Sequence, residues 1–229
     1  MTSSLNVYGD NLSPTTGKHG SNISEQRIDE LDKACLDFVK TRVAETGSCQ
    51  AVDIGAGSGA QSKRMAELGA VVLMIDLTDQ KQAIAAFNAG LSREAIHFIQ
   101  SDVRELASGD WPNKIDCVYS QRMLSAIPYI EALKLLHTLK SRAAAGAHFF
   151  LSAGGLDSEY KEGYPDAEKP VEERWAKLAP AMGEKHNVLI PQCLYHADDL
   201  NHLLEKAGLT VLRSWTSAFR NVKAVARLP

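Results

Sequence analysis

The stretch Val52-Asp53-Ile54-Gly55-Ala56-Gly57-Ser58-Gly59-Ala60 constrains this chain more than any other part of it. A short apolar run, residues 51–55, ends in the first of three glycines at alternate positions, and a helical pattern from Gln61 to Leu68 follows, stopped by Gly69. Glycine lets the backbone turn at positive φ and lets a ligand approach the main chain closely. Where such a turn enters a helix, the first amide donors are unpaired and the helix dipole presents its positive end. A phosphate or a carboxylate is well placed there.

The flanking pattern makes this turn part of an alternating α/β chain. Apolar runs at 71–76, 96–102, 115–120 and 147–153 read as further strands. Helical patterns separate them, from about Asp79 to near Gly90 and from Ile127 to Ala145, with Gly146 as the stop of the second. Continuous apolar strands between helices predict a parallel sheet covered on both faces. After Gly155 the pattern breaks: residues 155–192 are charged and carry Pro165, Pro170, Pro180 and Pro191, which predicts an insert with one or two short helices. Helix returns at 197–206, stopped by Gly208, and strands at 209–215 and 221–228 follow. The last two are too close in sequence for a parallel crossover and must pair antiparallel. The expected sheet is therefore mostly parallel, with one antiparallel strand at its end.

Ahead of the turn, residues 1–23 are polar and contain Pro14 and Gly17, whereas a helix is expected from about Ser24, its N-cap, to Gly47. Ile28, Leu31, Leu36, Phe38, Val39 and Val43 recur on its apolar side. Tyr8 and His19, in the polar segment, could fold over a ligand at the turn or simply belong to a tail.

Two acids fall at informative places. Asp76 ends the second strand, where a carboxylate can accept both hydroxyls of a ribose, and Asp102 ends the third, within reach of an adenine amino group. Ligands of open α/β sheets bind outside the carboxyl ends of the strands, where all these features lie. Gly55-x-Gly57-x-x-Ala60, followed by Asp76, satisfies the dinucleotide fingerprint literally, so a nicotinamide-dependent oxidoreductase is one reading. Three features oppose it: Asp53 inside the first strand, the terminal acid of the third strand, and the antiparallel hairpin.

In these motifs the chain resembles the class I S-adenosylmethionine-dependent methyltransferases, over about Ala51 to Leu228 with residues 155–192 unmatched. Asp53-x-Gly55-x-Gly57-x-Gly59 is similar to the family's first motif. Asp76-Leu77 matches its ribose-binding acid and the residue beside it, and Asp102-Val103 its adenine-recognising pair. Ser120-Gln121 resembles the site flanking the transferable methyl, and residues 195–209 resemble the penultimate helix and sixth strand. The resemblance implies a Rossmann-like, doubly wound, mostly parallel seven-stranded sheet with an antiparallel C-terminal hairpin strand. It implies S-adenosyl-L-methionine as cofactor, S-adenosyl-L-homocysteine as product, and cofactor contacts from Asp53, Gly55, Ala56, Gly57, Gly59, Asp76, Leu77, Asp102, Val103 and Gln121. The domain organisation expected is an N-terminal segment and lid helix over 1–48, and a methyltransferase domain over 49–229 with a substrate cap at about 155–192.

The acceptor is a small organic molecule on this reading. Ser120-Gln121-Arg122-Met123 stands where an Asn/Asp-Pro-Pro-Tyr/Phe sequence would signal methylation of a base or amide nitrogen. Arg122 could hold an acidic acceptor and Tyr129 could line the pocket, which makes them the candidate catalytic residues; Tyr160, Tyr164 and Trp175 could contact an apolar one. The charge balance, 25 Lys and Arg against 28 acids for a net −3, argues against a nucleic-acid partner. Arg213, Arg220, Lys223 and Arg227 make the last hairpin locally basic, which leaves protein or RNA methylation as an alternative, although charges also protect a sheet edge from aggregation. A non-catalytic cofactor-binding module is the third reading. Cys35, Cys49, Cys117 and Cys193 are scattered without a C-x-x-C pair and read as reduced, buried thiols, and no His/Asp/Glu cluster suggests a metal. Without a signal peptide or an apolar run of membrane-spanning length, a cytoplasmic protein with no membrane partner is expected.

Overall fold

Seven strands form one sheet in the order β3-β2-β1-β4-β5-β7-β6. The computed structural model describes Gly20 and residues 27–229, so the expectations for Tyr8, His19 and Ser24 lie outside the described residues. In chain order the elements are α1 (Glu30–Thr46), β1 (Cys49–Ile54), α2 (Ala60–Glu67), β2 (Ala70–Asp76), α3 (Lys81–Ala89), β3 (Ile96–Gln100), β4 (Ile115–Ser120), α4 (Tyr129–Arg142), β5 (Ala143–Ala153), α5 (Pro180–His186), α6 (Ala197–Lys206), β6 (Thr210–Thr216) and β7 (Val222–Arg227). Pairing is parallel from β3 through β5, and β7 runs antiparallel to both β5 and β6. The doubly wound, mostly parallel sheet is as expected. The antiparallel strand, however, is not the edge: β7 enters between β5 and β6.

Both faces are covered. Cys49 and Ala51 of β1 pack with Leu31, Cys35 and Val39 of α1 and Met65 of α2. Val52 and Ile54 point the other way, to a core shared with Leu133 and Leu136 of α4 and Leu200 and Leu203 of α6. This period-two division of apolar residues is what a strand buried on both faces requires. All four cysteines are buried and free, with the Cys35 and Cys117 sulfurs 3.6 Å apart across the α1 face.

Several boundaries move. The described N-cap of α1 is Asp29, whose side chain accepts from the Leu31 and Asp32 amides, and Ile28 is exposed rather than part of the apolar face. Gly47 closes the helix in the left-handed conformation, as expected. The helix expected to run to Ala145 stops at Arg142, and β5 begins at once. Gly146 is therefore not a helix stop; at φ +78° it sits in a bulge where Ile115 and Cys117 of β4 face Ala143 and His148 of β5. Strand pairing has overridden the helix propensity of Ala143-Ala144-Ala145.

Residues between β5 and α6 fold over the carboxyl ends of the strands around a small core of Leu156, Tyr164, Leu178, Val188 and Leu194. Arg174, nearly buried, fastens this insert to α6 by an ion pair to Asp199 at 2.6 Å.

Candidate active site

A cavity of about 380 Å³ opens at the carboxyl ends of β1, β2 and β4 and extends beneath the insert. Nine of the residues expected from sequence to bind cofactor line it: Asp53, Gly55, Ala56, Gly57, Asp76, Leu77, Asp102, Val103 and Gln121. Gly59 does not. It caps α2 at φ +77°, and a Cβ there would lie 2.8 Å from the Met74 sulfur, so this glycine serves helix–strand packing. Gly55 is needed twice over. Its φ is +67°, and a Cβ would meet the Met123 Cβ at 2.6 Å, which closes the cradle to any side chain.

The acids are held by different partners. Asp76 Oδ2 accepts from the Gly57 amide at 2.7 Å and its Oδ1 from the Thr78 amide at 2.8 Å, so the carboxylate pins the glycine turn to the end of β2. Each oxygen retains a lone pair for a ligand hydroxyl. Asp53 is buried and accepts from Ser62 Oγ at 2.6 Å. Burial raises its pKa to about 7, against the opposing Ser62 hydrogen bond and reinforced by the nearby charge of Asp76. Asp102 lies two residues past β3 rather than inside it, caps a short 3-10 turn, and is clasped by the Arg104 guanidinium at 2.9 and 2.5 Å. Leu77 is about half exposed and, with Val103, leaves an apolar surface at this end.

Beneath the cavity lies a polar network that sequence reasoning missed. Tyr119 of β4 donates its hydroxyl to Asp32 of α1, and burial together with that carboxylate holds the phenol well above its ordinary pKa. Gln121 donates from Nε2 to Asp29 at 2.6 Å, and Lys223 of β7 pairs with the same carboxylate oxygen. Gln61 reaches the Asp32 carbonyl at 3.1 Å. Tyr119 and Gln61 also line the cavity. Asp29 and Asp32 form a reciprocal capping box, and Asp-x-x-Asp ahead of an apolar run was the available signal for it. Lys223 carried no such signal. It is 4% exposed, so the account of the last hairpin as a solvated basic edge fails at this residue; Arg213, stacked on Trp215 at 4.3 Å, fits it.

The two candidate catalytic residues separate. Arg122 lines the cavity with φ +65°, a conformation that costs a side chain about 1 kcal/mol, and its amide donates to the Ser152 carbonyl at 3.1 Å and hydroxyl at 2.9 Å. Tyr129 is not at the cavity. Its ring is 2% exposed and stacked on Tyr195 at 6.4 Å, because the first turn of α4 presents it to the core. Of the insert's aromatics, Tyr160 and Trp175 reach the cavity, whereas Tyr164 is turned into the insert's own core and donates to the Gln192 carbonyl at 2.6 Å.

A family model described as a methyltransferase domain matches residues 24–214. The chain belongs to this methyltransferase domain family. Among curated relatives, the ubiquinone biosynthesis O-methyltransferase of Xanthomonas campestris pv. campestris is 30% identical over 128 residues, which cover 56% of this chain and 52% of that protein. The enzyme of the same name from Pseudoalteromonas translucida is 26% identical over 125 residues, covering 55% and 52%. The chain thus spans about half the length of the curated relatives it matches. Among solved structures, Burkholderia thailandensis 1,6-didemethyltoxoflavin-N1-methyltransferase, with bound 1,6-didemethyltoxoflavin and S-adenosylhomocysteine, superposes with a TM-score of 0.63 at 15% identity, covering 90% of this chain and 81% of its own. Magnesium protoporphyrin IX methyltransferase from Synechocystis, with bound SAM, gives 0.55 at 18% identity over 91% and 85%. These likenesses show that the methyltransferase domain has the class I fold.

Proposed function

We propose that this chain transfers the methyl group of S-adenosyl-L-methionine to a small organic acceptor and releases S-adenosyl-L-homocysteine. The observation that carries the reading is the continuity of one cavity, from the glycine turn and strand-end acids of a methyltransferase domain to the space beneath the insert. The residues fit the cofactor. The cradle at Gly55 admits no Cβ, and Asp76 keeps acceptor capacity on both oxygens. We assign the turn of Gly55, Ala56 and Gly57 to the methionine portion, Asp76 to the ribose hydroxyls, Asp102 with Leu77 and Val103 to the adenine, and Gln121 to the surroundings of the methyl group.

The cofactor brings an already activated methyl group, lost by in-line displacement. The protein therefore has to align acceptor and methyl and exclude water. On this reading residues 1–48 act as an N-terminal segment and lid helix, 49–229 as the catalytic domain, and 155–192 as its cap. Gly20, which lines the cavity and exchanges two 2.8 Å hydrogen bonds with Asn187 of the cap, supports that division. No helix among the described residues is long and apolar enough to cross a membrane, and a cytoplasmic placement belongs to the proposal.

Titration calorimetry with S-adenosylhomocysteine tests the proposal. Saturable binding of this ligand, with no heat from NADH, is expected. No binding at millimolar concentration overturns the proposal, and binding of NADH alone restores the dinucleotide reading.

A further inference from the structure

The cavity's charges are divided between its two ends. Asp53, Asp76 and Asp102 lie at the end assigned to the cofactor, and Arg104 there is neutralised by Asp102. Beneath the insert the cavity wall is apolar, with Met123, Ile127, Trp175, Ile190 and Pro191, and its formal charge is Arg122. Among the described residues no carboxylate pairs with that guanidinium. The nearby Glu159 is instead engaged by Lys185 and by His186, the latter at 2.7 Å. Arg122 is hydrogen-bonded to the Tyr160 side chain, whose ring is steadied edge-on by His186 at 4.8 Å. An arginine held in the left-handed region by buried Ser152, where Gly or Asn would carry less strain, is a position whose side chain has a use.

We propose, building on the methyltransferase reading, that the acceptor is an organic oxyanion, a carboxylate or an ionised acidic phenol on an apolar body, bound by Arg122 and Tyr160. A guanidinium in a low-dielectric pocket favours the ionised acid and offers it charge-assisted hydrogen bonds. The cavity wall supports the same conclusion from the proton's side: beneath the insert its titratable groups among the described residues are Arg122 and Tyr160, and the carboxylates of the wall, Asp53, Asp76 and Asp102, lie at the end assigned to the cofactor. No base is required when the acceptor enters ionised. An oxygen lone pair forms the bond to the methyl carbon while the carbon–sulfur pair returns to sulfur. The anion and the sulfonium become a neutral ester or ether and a neutral thioether, and no proton is released.

The probes are 2-naphthoate, 4-nitrophenolate and uncharged 2-naphthamide, titrated at pH 7.5 into the chain loaded with S-adenosylhomocysteine. At least one anion should bind about tenfold or more tightly than the amide, the scale of a charged hydrogen-bonding partner. Arg122→Asn, which suits the left-handed backbone and removes the charge, should abolish that preference. It should leave the naphthamide and S-adenosylhomocysteine affinities unchanged and the Tm equal or higher. Tyr160→Phe should reduce the preference without removing it. With the methyl donor present, methyl 2-naphthoate or 4-nitroanisole as product tells a carboxylate acceptor from a phenolate. Equal binding of anion and amide, a preference that survives Arg122→Asn, or no binding of any probe to the loaded chain overturns the proposal. The same probes are titrated into the unloaded chain: failure to bind S-adenosylhomocysteine while the Arg122-dependent anion preference persists there overturns the methyltransferase reading and leaves the anion site standing.

Discussion

Asp29 and Lys223, 194 residues apart in sequence, form an ion pair at the base of the cavity that joins the start of α1 to β7. The same carboxylate oxygen accepts from Gln121 at the cavity wall. Burial works against ionisation of Asp29, but the Lys223 hydrogen bond and charge outweigh it, and the carboxyl is held below its ordinary range.

Breaking this pair from the lysine side leaves a half-buried carboxylate with its main counter-charge gone. Lys223→Ala should destabilise the fold by about 2–4 kcal/mol, read by urea denaturation, and Asp29→Asn in the same chain should recover part of the loss. An additive double-mutant cycle would show the two residues to be uncoupled. Because the folded pKa of Asp29 lies below the ordinary value of 3.8, its stabilisation is full above that value and is lost as pH falls through the folded pKa.

Asp53 has the opposite sign. Its folded pKa of about 7 stands above its ordinary 3.8, so its contribution to stability is full below pH 3.8, declines as pH rises, and is exhausted near pH 7. Asp53→Asn should keep the Ser62 hydrogen bond without the buried charge. The variant should gain on the order of 2–4 kcal/mol relative to wild type between pH 4 and pH 8. Parallel urea titrations at the two pH values check this, and a constant difference would place the titration elsewhere.

Asp76 supports the turn and, as proposed, holds the ribose. Asp76→Ala should weaken S-adenosylhomocysteine binding by roughly 1–3 kcal/mol, measured by calorimetry. It should also lower the Tm, since the Gly57 and Thr78 amides lose their acceptor. An unchanged affinity would move the ribose away from β2.

Tyr129 provides a negative control for the acceptor end. Its hydroxyl is buried without a hydrogen-bond partner among the described residues. Tyr129→Phe should therefore change stability by less than about 1 kcal/mol, or raise it, because a buried polar atom without a partner is removed. Methyl transfer, read as S-adenosylhomocysteine formation, should be unaltered; a large fall in kcat would bring the residue back to the reaction.

The parallel part of the sheet was legible because each strand is a continuous apolar run bounded by helix, and the glycine turn declared where the cavity lies. Sheet order was less so: the spacing of β6 and β7 shows that they pair, but nothing local says that β7 rather than β6 meets β5. Gly146 misled because an alanine tract followed by glycine suits a helix end as well as a bulge. Tyr129 misled because a helix's first residue can face either side, and Tyr195, 66 residues later, decides which. Lys223 looks like a solvated edge charge until its partner on α1 is known.

The position of β7 bears on how the protein is made. It leaves the ribosome after the other six strands of this sheet, yet it lies inside the sheet and supplies the lysine that fastens α1. Until it arrives, β5 has an open edge and Asp29 of the α1 cap lacks its counter-charge, although both were synthesised earlier. Pairings of such long sequence separation form slowly. The interval in which an apolar parallel sheet stands unclosed is when this chain is most exposed to aggregation and most dependent on chaperones.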